Sequence, residues 1–233
     1  MRDNLSTTFV GWKSAILCSW IMLYSTGSEA APETNSRARP VLNWNTFLGG
    51  SGSENGYSIA IDSGGNIYLG GTASATWGSP VRAYSASSDA FVVKLDNDGS
   101  IVWSTFIGGS GSDDGYAIDV DSSGNVYLAG YSNQTWGSPV QEYTASSSEA
   151  FAVKLDSNGG LLWNTFLGGS GGADFDYGRA IATDSGGNVY VVGESAASWG
   201  APVRAFGGSK DGFAAKLNSS GSLVWNTFLG GAG

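Results

Sequence analysis

Three tryptophans, Trp77, Trp136 and Trp199, each followed by Gly-[Ser/Ala]-Pro-Val, are the residues best placed for binding chemistry. An indole in a Gly/Ser/Pro-rich connection can offer its face to a sugar ring or a peptide, and one ring per repeat would line a single face. The same rings could instead fold back as plugs beneath their loops, which Pro80, Pro139 and Pro202 would stiffen. Lys94, Lys154 and Lys216 recur inside apolar stretches, where an amine could serve as a base or Schiff-base donor. A lysine present once per repeat is read first as a framework contact. Gly108-Gly109-Ser110-Gly111-Ser112-Asp113 matches the first six positions of the calcium nonapeptide G-G-x-G-x-D, but it recurs near sixty residues rather than nine, with Glu54 in the equivalent place. Asp96-Asn97-Asp98-Gly99 echoes the start of an EF-hand loop without its terminal glutamate. Calcium is therefore the one metal the motifs raise, and no cofactor is expected. Asp62, Asp121 and Asp184 are expected to cap turns. The chain has no histidine, so a serine nucleophile would lack its usual base and no catalytic residue is assigned.

These residues sit in an internal repeat. W-[NS]-T-F-[LI]-G-G begins at Trp44, Trp103, Trp163 and Trp225, with spacings of 59, 60 and 62 residues. Between the copies, D-S-[GS]-G-N-[IV]-Y begins at Asp62, Asp121 and Asp184, and [DE]-[AG]-F-[VA]-[VA]-K-L-[DN] begins at Asp89, Glu149 and Asp211. Each unit predicts four short strands with turn signals between them: in the first copy Tyr57 to Asp62, Asn66 to Gly71, Phe91 to Asp96 and Ile101 to Ile107. Gly65 and Gly99 suit the positive-φ positions of tight hairpins. After residue 31 no segment has apolar residues at helical spacing, so the fold is all-β. Four antiparallel strands repeated about an axis make the blade of a β-propeller. Blades are expected over about 49–107, 108–167 and 168–229. Val41 to Leu48 duplicates a fourth strand that the last repeat already has, so a spare N-terminal strand and an incomplete or open propeller are expected. One stretch breaks the repeat: Ala173-Asp174-Phe175-Asp176-Tyr177 with Arg179.

The runs W-x-T-F-L-G-G-S-G, D-S-x-G-N-[IV]-Y and F-[VA]-[VA]-K-L-D-x-x-G resemble the SBBP β-propeller repeat family of exported bacterial and archaeal proteins, over roughly residues 41 to 233. The resemblance implies a propeller fold and an exported, often cell-surface setting. It carries no common activity.

Export is also read at the N-terminus. An apolar run, Ala15 to Tyr24, follows Arg2 and Lys13 and precedes Ser28-Glu29-Ala30, the order of a secretory signal cleaved near Ala30. Residues 1–30 are thus a predicted signal peptide, 31–40 a polar linker and 41–233 the repeats, with secretion or cell-surface display expected. The run is too short to span a membrane comfortably, so no membrane-spanning segment is expected in the mature chain. The single cysteine, Cys18, falls in that leader, which removes disulfides from the rest. A net charge of -9 argues against nucleic acid and anionic membrane surfaces as partners. The leading expectation is a non-catalytic module for protein or glycan recognition at a loop face, with self-association as a way to close the ring. The alternatives are a propeller-fold lyase or hydrolase using Asp, Glu, Lys or Tyr, and a structural segment of a longer cell-surface protein.

Overall fold

The computed structural model describes residues 42–144, 147–170 and 175–231. The predicted signal peptide, the linker and Val41 lie outside the described residues, as do Ala173 and Asp174. The described residues form three four-stranded antiparallel sheets and no helix. The first sheet holds β1 (Glu54–Ile61), β2 (Ile67–Ala73), β3 (Asp89–Leu95) and β4 (Ile101–Ile107). The second holds β5 (Asp113–Val120), β6 (Val126–Ser132), β7 (Glu149–Leu155) and β8 (Leu161–Leu167), and the third β9 (Tyr177–Thr183), β10 (Val189–Ser195), β11 (Asp211–Leu217) and β12 (Leu223–Leu229). Each sheet is a meander in sequence order, as the propeller expectation requires.

The core lies between the sheets rather than within one. On β2 and β3 the alternate residues Ile67, Phe91, Val93 and Leu95 pack to one side, with Trp44 and Leu48. Their neighbours Tyr68, Ala90 and Val92 pack to the other, against Leu128, Phe151, Val153 and Leu155 of the second sheet. The second sheet meets the third in the same way, through Tyr127, Ala129, Ala150 and Ala152 against Val189, Val191, Phe213 and Ala215. Strands covered on both faces explain the near-continuous apolar sequences of β6 and β7. Small residues on one side let the larger set opposite them approach closely.

The sheets draw together along their first strands. β5 lies against β1, β2 and β3, and β9 against β5, β6 and β7, whereas β4 and β8 make no comparable approach to the next sheet. The three sheets are therefore wedges that converge at β1, β5 and β9 and splay at β4, β8 and β12, the arrangement of propeller blades around an axis. Among the described residues β1 and β9 do not meet in this manner, so the sheets form an open arc.

The expected spare strand takes a different form. Residues 42–50 join no β-ladder, because the third strand that would pair with them has no counterpart ahead of the first sheet among the described residues. They are held by side chains instead, chiefly Trp44 and Leu48.

Candidate functional site

The loop tryptophans are buried. Trp77, Trp136 and Trp199 are 6%, 5% and 5% exposed. Each indole sits edge-on to two phenylalanines of its own sheet: Trp136 to Phe151 at 5.6 Å and to Phe166 at 5.8 Å, with the same pairings for Trp77 and Trp199. This burial is the geometry of a plug beneath the loop, and it sets Trp77, Trp136 and Trp199 apart from the exposed, ligand-binding rings considered from sequence. An indole walled by Phe rings has no free face on which a sugar or peptide can stack.

The recurring aspartates and lysines form a second framework. Asp121 Oδ1 accepts from the Ser123 and Asn125 amides at 2.9 and 3.0 Å, and its Oδ2 from Asn125 Nδ2 and the Tyr127 hydroxyl at 2.8 and 3.0 Å. Asp62 and Asp184 repeat this bonding. In the third copy the hydrogen bonds from Asn188 lead the causes that pull the Asp184 carboxyl down to about 2. Gly65, Gly124 and Gly187 turn beside these carboxylates with φ of 82°, 77° and 76°, which explains the invariant glycine of D-S-x-G-N. The lysine ammonium then caps the tyrosine ring from above, at 5.2 Å for Lys94 on Tyr68, 5.1 Å for Lys154 on Tyr127 and 5.3 Å for Lys216 on Tyr190. The EF-hand echo is likewise a turn, in which Asp96 Oδ1 accepts from the Asp98 and Ser100 amides at 3.0 and 2.8 Å.

The first acids of the third and following first strands meet at the blade junctions. Asp89 and Asp113 are fully buried, as are Glu149 and Asp176. Asp113 Oδ2 accepts from the Gly109 amide at 2.9 Å, and Asp89 Oδ2 from the Ser85 amide at 2.7 Å. The Ser132 side chain also bonds Asp113, and the Ala86 amide Asp89. Burial raises the Asp89 carboxyl and pushes Asp113 up to about 6, the charge of Asp89 adding to the latter and the guanidinium of Arg82 opposing it. The last position of the calcium-like G-G-x-G-x-D run is thus an interior carboxylate bonded to the glycine of its own run. Among the described residues no group of three or more His, Cys, Asp or Glu is arranged to hold a metal ion.

What remains open to solvent is a cluster on the converging strands. β1 and β5 each carry a bulge, between Gly56 and Ser58 and between Gly115 and Ala117, which leaves Tyr57 and Tyr116 out of the pairing; Arg179 takes the corresponding place on β9. A bulge re-aims the extra side chain away from the pleat. Here the re-aimed residues meet from sheet to sheet: Tyr57 lies edge-on to Tyr116 at 5.6 Å, and the Arg179 guanidinium stands 4.9 Å from the Tyr116 ring and 4.4 Å from Tyr177. Tyr131 joins Tyr177 at 5.0 Å, and Phe175 stacks on Tyr177 at 6.1 Å with an interplanar angle of 3°. Tyr57 and Phe175 stay 52% and 48% exposed.

The cluster is charged at one end. Arg179 and Lys210 both pair with Glu194. The hydrogen bond from Lys210, aided by Arg179, holds the Glu194 carboxyl below its usual range. Partial burial works against the Arg179 charge, but Glu194 outweighs it and keeps the guanidinium protonated. Partial burial and the charge of Asp114 raise the Tyr116 phenol to about 12. Burial raises the Tyr57 and Tyr131 phenols as well. The arrangement can stack against a ligand and donate hydrogen bonds to it.

Sequence reasoning singled out Phe175, Tyr177 and Arg179 as the patch that breaks the repeat, but it placed no ligand there and missed Tyr57, Tyr116 and Tyr131. The signal was present at the residue after Gly56, Gly115 and Gly178, which is Tyr, Tyr and then Arg. Seeing it required knowing that these glycines sit at bulges.

Comparison with known proteins bears on the repeat. The family model SBBP, described as a β-propeller repeat, matches residues 102–135. That span runs from β4 across the blade junction to the end of β6, and holds Trp103, Asp113, Tyr116 and the Asp121 turn. No curated protein matches. Among solved structures, a protein of unknown function from Bacteroides caccae aligns at 11% identity and a TM-score of 0.33, covering 82% of this chain and 71% of that one. Through residues 102–135 the chain is thus similar to the SBBP β-propeller repeat family, in the architecture that its sequence implied.

Proposed function

We propose that this is an exported, non-catalytic β-propeller repeat protein that acts as a recognition module, binding a peptide or a glycan along the converging strands. The observation that carries the reading is the row of rings Tyr57, Tyr116 and Tyr177, the first two aimed by bulges, ending in Arg179, which takes the bulge position where the repeats cease to be alike. Framework residues repeat in every blade. A binding surface for one ligand has no reason to, and this is where the blades diverge. Exposed tyrosines give large contact area for little side-chain entropy, and an adjacent guanidinium adds a directed charge.

The test is a printed glycan array and a peptide array probed with the protein and with Tyr57→Ala and Arg179→Ala. Stacking contacts of this kind carry roughly 0.5–1.5 kcal/mol each. Each substitution should therefore weaken a bound spot several-fold while leaving the far-UV spectrum unchanged. Failure of the parent to bind either array, or equal binding by both variants, overturns the reading.

A further inference from the structure

Residues 42–50 occupy a site that elsewhere in the molecule belongs to a neighbouring blade. Trp103, at the third position of β4, donates Nε1–H to the Ser157 carbonyl in the β7–β8 turn at 3.0 Å, and Trp163 donates to Ser219 in the β11–β12 turn at 3.1 Å. Trp44 makes the same bond to Asn97 in the β3–β4 turn, at 3.0 Å. The match extends to the floor of the slot. A Cβ on Gly159 or Gly221 would fall 2.8 Å from the ring of Trp103 or Trp163, and one on Gly99 would fall 2.7 Å from Trp44. Leu48 then packs where Ile107 and Leu167 pack at the two interior junctions. The segment is a fourth strand in its contacts with the following sheet, and among the described residues it has no sheet of its own. Phe47 shows the consequence, being 77% exposed where its equivalents Phe106, Phe166 and Phe228 are fully buried.

At the other end of the arc no described residue covers the opposite surface. Val192 is 45% exposed, whereas Ala129, at the same position of the second sheet, is fully buried beneath the third. Tyr190 and Ala214 are partly exposed where Tyr68, Tyr127, Val92 and Ala152 are fully buried. This face ends in β12, which with the two glycines after it reads Trp225-Asn226-Thr227-Phe228-Leu229-Gly230-Gly231, identical over seven residues to Trp44 through Gly50. The two interior junctions show how such a face is covered, since each is this surface meeting the leading surface of the next sheet.

We propose that residues 42–50 are a built-in competitor for head-to-tail association. The third sheet of one copy can dock on the first sheet of a second copy only when Trp225 replaces Trp44 over Gly99 and on the Asn97 carbonyl. The partner is a second copy of this chain, and the interface repeats the two already present. Because the competing segments share one sequence, the tethered one wins at low concentration by its proximity, and association depends on displacing it. The proposal is independent of the recognition reading, which concerns another surface.

Sedimentation velocity over a concentration series tests it on the full chain. Trp44→Ala should self-associate at a concentration at least tenfold lower than the parent, and Leu48→Ser, which loosens the same segment through a smaller contact, should shift in the same direction. The double variant Trp44→Ala/Trp225→Ala should return to the parent's behaviour. Gly99→Ala, whose Cβ closes the slot to either tryptophan, should stay monomeric although it frees residues 42–50. The idea is overturned if Trp44→Ala and Leu48→Ser, with far-UV spectra intact, associate no more than the parent. It is equally overturned if the double variant associates as readily as Trp44→Ala, or if Gly99→Ala associates as readily as Trp44→Ala.

Discussion

Replacing Asp113 by asparagine should abolish a loss of stability that begins near pH 4 and is complete once the pH has risen through about 6. Asp113 is fully buried at the junction of the first two blades, with the Gly109 amide and the Ser132 side chain as its hydrogen-bond partners. Burial lifts its carboxyl from the ordinary 3.8 to about 6. The folded state therefore holds the proton more tightly than the unfolded chain. Its contribution to stability is fully present below the unfolded value and is lost between about pH 4 and 6. A difference of ~2 pH units at ~1.4 kcal/mol each is worth ~3 kcal/mol, an order-of-magnitude figure. Asparagine keeps an acceptor for Gly109 and carries no charge to desolvate. The assay is urea unfolding of parent and variant at steps from pH 4 to 7.5, read as the difference between the two. Taking the difference cancels Asp62, Asp121 and Asp184, whose lowered values make stability fall in the opposite direction, as pH drops through the carboxylate range. The difference should grow in favour of the variant by ~3 kcal/mol across the window and then level off. A flat difference, or one that moves in favour of the parent, refutes the account of this carboxylate.

Two further substitutions test the framework. Trp136→Ala should destabilise by ~3–5 kcal/mol, because it empties a site walled by Phe151 and Phe166; a urea midpoint that implies less than ~1 kcal/mol would mean the indole is not the plug described. Gly159→Ala puts a Cβ 2.8 Å from Trp103 at a backbone φ of 84°, and should cost ~1–3 kcal/mol; unchanged stability would show that the Trp103 peg is loose.

The repeat was legible because its framework residues are tied to short-range geometry. Asp121, Gly124, Asn125 and Tyr127 close one turn within seven residues, so their spacing announces the turn. Ile101 to Ile107 is the strand expected from sequence, whereas β1 starts three residues earlier than expected, since the bulge at Tyr57 disguises the alternation before it. The direction in which a loop side chain points is a tertiary matter, and Trp77, Trp136 and Trp199 show it. The Gly/Pro-rich sequence around them suits an exposed ring as well as a buried one. Phe91, Phe151 and Phe213, fifteen or so residues away in a different strand, decide the outcome. The candidate site was harder still to see. Tyr57, Tyr116 and Arg179 come together only because three sheets converge on the strands that carry them.

The tryptophans that β4 and β8 lay on the next sheet's turn make the two seams of the arc interchangeable. A gene that duplicates or drops one such stretch of sixty-odd codons leaves the chain with seams of a kind it already possesses. Lineages carrying this design can therefore change length in whole steps without first evolving a surface to match.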